Sequence, residues 1–265
     1  MDMRPKLAST LPGNPQGFTI KQHVFPRSAI ARFAATDGKV EVQSLRASRS
    51  KRRVPTEKIF CAQRAWDQST ETWRTRSYET EYQAIADELA AGRLSPLSRK
   101  ENQIVSEFFS LWMARHHARK EPSGDVVLSG FFGSSITDEE AEILEAKGYA
   151  FTRSNVMPNH IFMSLCMKRW MDQLSQQLHC ARWGIVRAEY GEFIVPDNGD
   201  GFVTVPVTPK ICLVVGAPDS VISPLDVAQI NFMAIRTAHE YYFARDLNKC
   251  PILRRTTPWQ IAKSV

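Results

Sequence analysis

The sequence predicts an α+β fold: an N-terminal β-hairpin, central helices, C-terminal antiparallel strands and a long final helix. Three observations predict it. Residues 77–179 carry apolar side chains at helical spacing behind well-formed caps. The segments flanking them are short, partly alternating and punctuated by Gly, Pro and Asn. After the last of these, Ser223-Pro224 offers an N-cap followed by proline at the first helical position, which starts a further helix. With 265 residues, 43% of them hydrophobic and 23% charged, the composition is that of an ordinary soluble globular chain able to bury a core. The division expected is a flexible arm over 1–18, a single α+β domain over 19–248, and a tail over 249–265 that packs back through Pro251, Pro258 and Trp259.

In order along the chain, Ala29–Phe33 and Lys39–Leu45 flank Asp37-Gly38, a strong hairpin signal, and KVEVQSL alternates as a half-buried strand does. Over Ser77–Ala91, Tyr78, Tyr82, Ile85, Ala86 and Leu89 share a stripe, with Gly92 as the stop. Ser98-x-x-Glu101 opens a helix to about Arg119, and Thr137-x-x-Glu140 opens one to Lys147. Pro158 precedes a helix over Asn159–His179 whose Met-rich face reads as core. Strands follow at Trp183–Arg187, Glu192–Val195, Val203–Val207 and Ile211–Val215. The final helix runs from Pro224 to about Arg245.

Composition excludes some functions. No apolar run is long enough to span a bilayer, and the N-terminus has no apolar signal-peptide region. Cys61, Cys166, Cys180, Cys212 and Cys250 are odd in number and lack any CxxC pair, so reduced thiols of a cytoplasmic protein are expected, not a disulfide frame or zinc site. No HExxH is present. A net charge of +6 admits an anionic partner. Arg46, Arg49, Lys51, Arg52 and Arg53 put five positive charges into eight residues, either a solvated loop or a phosphate-contacting one.

Polar residues at apolar positions are the candidates for chemistry, because a buried charge needs a partner. Arg115 lies about 20° from Phe108 on the Ile104–Trp112 stripe and calls for an acidic or anionic partner, unless the helix has left the core there. His23 precedes the first apolar residues, as a structural hydrogen-bonder or a catalyst. His116 and His117 are adjacent and are expected at the surface, and His160 and His179 at helix ends. In Glu192-Phe-Ile-Val-Pro-Asp-Asn198 an apolar strand ends in acid and amide. That is a place for chemistry, or an Asx-turn closing a strand.

Several of these motifs together resemble the family catalogued as domain of unknown function 4238. Lys21-Gln-His-Val-Phe-Pro26, followed by Ala-Ile-Ala-Arg-Phe33, is similar to that family's His-aromatic-Val-Pro opening, and Asp37–Val40 to its hairpin. Glu81 and Arg115 match its helical Glu and Arg. Glu192–Asn198 matches its Phe-Ile-x-Ser-Asp-Asn-Pro strand, and Asn231 falls in the final helix. The resemblance spans roughly 20–245. Pro196, Gly199 and Trp112 depart from it; Pro196 removes a backbone donor beside Asp197, and Gly199 stands where proline is usual.

Taken together, His23, Glu81, Arg115, Glu192, Asp197 and Asn198 read as the acid, base and cation of a nuclease-like effector or toxin of a bacterial phage-defence system that cleaves a phosphodiester. Glu81, Glu192 and Asp197 would offer hard oxygen ligands to Mg²⁺, Arg115 a phosphate clamp and His23 a general base or acid. The alternative is a non-enzymatic binding or regulatory subunit whose polar cluster is structural. Partners expected are nucleic acid or protein, and no membrane.

Overall fold

The computed structural model describes residues 9–72, 74–93, 95–120, 124–199 and 201–253, and the architecture is α+β. Residues 1–8 of the expected arm, and 254–265 of the expected tail with Pro258 and Trp259, lie outside the described residues. The remainder of the arm is fastened: Phe18 is buried and Asn14 holds the Phe18 backbone from both sides.

The chain enters through β1 (Lys21–His23), which pairs antiparallel with β4 (Cys61–Gln63). Between them come α1 (Arg27–Ala31), β2 (Val40–Ser44) and β3 (Lys51–Arg53). The expected first arm of the hairpin is therefore a helix. Ala29, Ile30 and Phe33 are spaced to bury one helical face, and Pro26 sets the start. Asp37-Gly38 makes its turn, with Gly38 at φ 73°, but joins helix to strand. The actual hairpin is β2–β3, and the basic run lies in its loop and second strand.

The middle of the chain follows its caps. After α2 (Gln68–Thr72) come α3 (Arg74–Ala90) and α4 (Arg99–Lys120), the latter opened by Ser98 and Glu101 bonding each other's backbone amides. Thr137 and Glu140 form the same capping box on α5 (Asp138–Ala146), flanked by the small pair β5 (Val126–Val127) and β6 (Val156–Met157). The fourth long helix, α6 (Asn159–Gln177), packs on α4. Most of α4 is buried on every side, and Phe108 stacks on Tyr82 at 3.6 Å between ring centres. Helices enclosed this way belong to the centre of a core.

Two four-stranded sheets complete the fold. One has the order β11-β7-β10-β9, from β7 (Trp183–Ala188), β9 (Thr204–Thr208), β10 (Ile211–Val215) and β11 (Ser220–Ile222), with β11 parallel to β7. The other has the order β3-β2-β12-β8, using β8 (Val195–Pro196) and β12 (Tyr241–Ala244). The last helix, α7 (Pro224–Thr237), starts where expected, with Ser223 and Asp226 as a capping box, but stops eight residues short of Arg245. Tyr241–Ala244 is aromatic and β-prone, and becomes the strand joining the N-terminal sheet to β8. None of the five cysteines forms a disulfide, and no helix among the described residues is long and apolar enough to cross a membrane.

Gly184 tests the packing of the first sheet. A Cβ there would lie 2.1 Å from the Ala217 carbonyl oxygen, so Gly184→Ala is expected to cost about 1–3 kcal/mol. Gly124 has open space around it, and Gly124→Ala is expected to leave stability unchanged. Urea unfolding of both variants measures the contrast.

Candidate functional site

Arg115 points where its helical position says it must. It is 3% exposed, and its guanidinium bonds Glu79 from α3, lies 3.6 Å from Glu71 of α2, and sits 5.7 Å from the centre of the Trp66 ring. Trp66 donates its indole N–H to Glu71 at 2.7 Å. Burial pushes the Glu71 carboxyl above its ordinary range, against the pull of Arg115 and Trp66. His23 stands at the edge of the same cluster, half-buried, with Nε2 3.0 Å from the Pro55 carbonyl oxygen. A carbonyl only accepts, so Nε2 carries the proton. Burial lowers the basicity of His23; the Pro55 carbonyl opposes this, and the charge of Arg115 adds to the lowering.

Glu81 does not join them. It is exposed and accepts a hydrogen bond from Ser77 at 2.9 Å. Residues 79 and 81 differ by about 200° around a helix, so only one of the two can face Arg115. The carboxylate there is Glu79, whose position was readable: it lies about 20° from Ala86, on the apolar stripe of α3.

Asp197 and Asn198 build a second cluster on the opposite side of α4, reached through the next residue, His116. Asp197 is buried and accepts the backbone amides of His239 at 2.8 Å and Glu240 at 2.9 Å, one on each oxygen. Burial raises its pKa, and the two amides oppose the rise. Asn198, fully buried, donates to the Thr237 carbonyl and to His239 Nε2, each at 3.1 Å. That leaves the His239 proton on Nδ1, donating to His116 Nε2 at 2.8 Å. His116 is therefore an interior residue, 4% exposed, contrary to its expected place at the surface. Because α4 is enclosed all round, a polar residue off the main stripe is buried too. Arg119, one turn beyond Arg115, donates to the Ile59 carbonyl at 2.8 Å and pairs with Glu240.

Glu192 belongs to neither cluster. It is 2% exposed and takes the guanidinium of Arg245, while Asn231 ties its carbonyl to that of Pro251 and accepts from the Ile194 amide. The three carboxylates expected to hold Mg²⁺ thus lie apart: Glu81 faces solvent, Glu192 is matched by Arg245, and both oxygens of Asp197 are engaged. Among the described residues no three His, Cys, Asp or Glu side chains are grouped to hold a metal ion. Gly199 sits in close packing. A Cβ there would come within 3.0 Å of Phe109 and 3.2 Å of Met113.

The basic run divides. Arg52 pairs with Asp37 at 2.5 Å and Arg53 with Glu57 at 2.9 Å. Arg46, Arg49 and Lys51 are exposed, on the loop and edge strand of the β2–β3 hairpin. A third ionic group left no mark in the sequence pattern. Glu145 of α5 is buried between Arg64, at 2.5 Å, and His160, at 3.0 Å. His160 does sit at a helix start, but as a buried partner of that carboxylate.

Comparison with protein-family models, curated proteins and solved structures found no match. The likeness to the uncharacterised family therefore rests on the motifs alone.

Two outcomes are expected. Arg115→Ala strands Glu71 and Glu79 and should cost about 3–5 kcal/mol in urea unfolding, whereas Glu81→Ala should stay within about 0.5 kcal/mol. The lowered pKa of His23 means the unfolded chain binds its proton first. Its contribution is complete above the ordinary value of 6.5 and is lost as pH falls through the lower folded value. His23→Gln, neutral throughout and able to donate to Pro55, should lose less stability than the wild type between about pH 7 and pH 5.

Proposed function

We propose that the chain is a non-enzymatic binding or regulatory subunit that engages a polyanion, nucleic acid being the class, through the β2–β3 hairpin. One observation carries this reading. Each acid nominated for metal chemistry is either matched inside the fold or turned to solvent away from the others, while Arg46, Arg49 and Lys51 stand exposed on the loop and edge strand of one hairpin. Such a cluster attracts phosphate by displacing counterions and needs no cleft. The resemblance to the uncharacterised family fits a shared scaffold, since the matching Arg115, Asp197 and Asn198 all satisfy internal groups. Five thiols without a disulfide suit a reducing cytoplasm.

A second reading, a nuclease-like effector of a bacterial phage-defence system, is favoured by His23. It is half-buried, less basic than usual and set beside Arg115 and Glu79, as a general base would be.

Labelled duplex DNA and RNA, titrated at several salt concentrations with and without Mg²⁺, test both. The wild type should bind and leave the oligonucleotide intact. Replacing Arg46, Arg49 and Lys51 with Ala should weaken binding and flatten the log K against log salt slope by about 0.9 for each duplex phosphate no longer neutralised. Cleavage that disappears in His23→Ala would establish the second reading. No binding at low salt would overturn both.

A further inference from the structure

Away from the hairpin, the structure holds a cleft of about 760 Å³, bounded by the 9–12 stretch, the end of β4, the end of α4 and the α5–α6 unit. That size suits a small organic molecule. Its walls are ionic, combining buried Arg64, Glu142 and His160 with exposed Asp125, Asp138 and Arg153, and the charges do not balance in place. Arg64 pairs with Glu145, Arg153 with Asp138, and Arg119 with Glu240, so each arginine of the wall has a carboxylate. The converse fails. Among the described residues neither Glu142 nor Asp125 has a cationic partner: Glu142 Oε1 accepts the Leu11 amide at 2.5 Å, and Asp125 accepts the Asn159 amide at 2.9 Å.

Glu142 is the telling group. It is 6% exposed, and its Oε2 is enclosed without a hydrogen bond. One turn further along α5, Glu145 is as buried but has Arg64, His160 and the Gln68 amide around it. A carboxylate shut away with one amide for company is costly unless a cation joins it. Asn159, on the facing wall, adds a second enclosed acceptor, Oδ1, without a donor. The cleft therefore lacks a cationic hydrogen-bond donor. Among the described residues no three His, Cys, Asp or Glu side chains are grouped there, so the deficit is not that of a metal held by such a trio.

We propose that this cleft binds a small organic cation bearing primary ammonium or guanidinium groups, of the diamine or polyamine class, with Glu142 and Asp125 as counter-charges and Asn159 as acceptor.

Calorimetric titration of the full chain with putrescine, spermidine and agmatine tests it, with Mg²⁺ as competitor. At least one of the three amines should bind saturably with one site per chain and raise the melting temperature. Glu142→Gln should weaken that binding at least about 10-fold, the scale of a lost charge-assisted hydrogen bond. Asp125→Asn should weaken it less, and Glu139→Gln, on the exposed side of α5, should leave it unchanged. Asp125 is exposed, so its variant carries the test if Glu142→Gln fails to fold. Replacement of Arg46, Arg49 and Lys51 should not alter amine binding, which separates this site from the hairpin. The proposal is overturned by absence of saturable binding at millimolar amine, by equal displacement with Mg²⁺ at the same ionic strength, or by unchanged affinity in both acidic variants.

Discussion

A helix buried as deeply as the Ile104–Ala118 part of α4 has to find partners inside the fold for the cationic and imidazole side chains it carries, and that constraint organises the molecule. Arg115 cannot reach water, so α2 and α3 bring Glu71 and Glu79 to it and Trp66 shares the load. One residue later the direction turns by about 100°, and His116 meets His239 on the opposite side. One turn on from Arg115, Arg119 binds the chain ahead of β4 and the turn ahead of β12 at once. N-terminal, central and C-terminal segments are thus registered against a single rod.

The same constraint explains the acid and amide at the end of β8. Asp197 accepts two consecutive backbone amides, and Asn198 donates to a carbonyl and an imidazole, so together they stop α7 and turn the chain into β12. A segment that sequence pattern continues as helix is diverted by groups about forty residues upstream. Pairing of Tyr241–Ala244 with Val40–Ser44 then costs no exposed backbone donors at the join.

What was legible in the sequence was local. Capping boxes at Ser98 and Thr137, and the N-cap with proline at Ser223-Pro224, marked three helix starts, because such signals need only residues a few positions apart. Ile211–Val215 was readable from its own apolar run. The α1 helix was missed because five residues hold too little periodicity to outweigh the Asp37-Gly38 signal. Arg115 was found by its angle on a stripe, and the same angular test applied to α3 selects Glu79 over Glu81. His239, Arg64 and Glu145 left no comparable trace: their partners come from 42, 81 and 15 residues away, and separation of that kind is set only by the tertiary fold.

The junction of β2 with β12 bears on how the chain is made. Val40–Ser44 leaves the ribosome long before Tyr241–Ala244, the strand that will lie beside it, so until then one side of β2 has no native neighbour. Loop closure over that distance is slow, and a half-apolar strand with unpaired amides invites intermolecular pairing meanwhile. The charged hairpin partner, Lys51–Arg53, is in place from the start and guards the other side. The β12 side of β2 waits for roughly the time taken to translate two hundred residues, about ten to forty seconds at typical elongation rates.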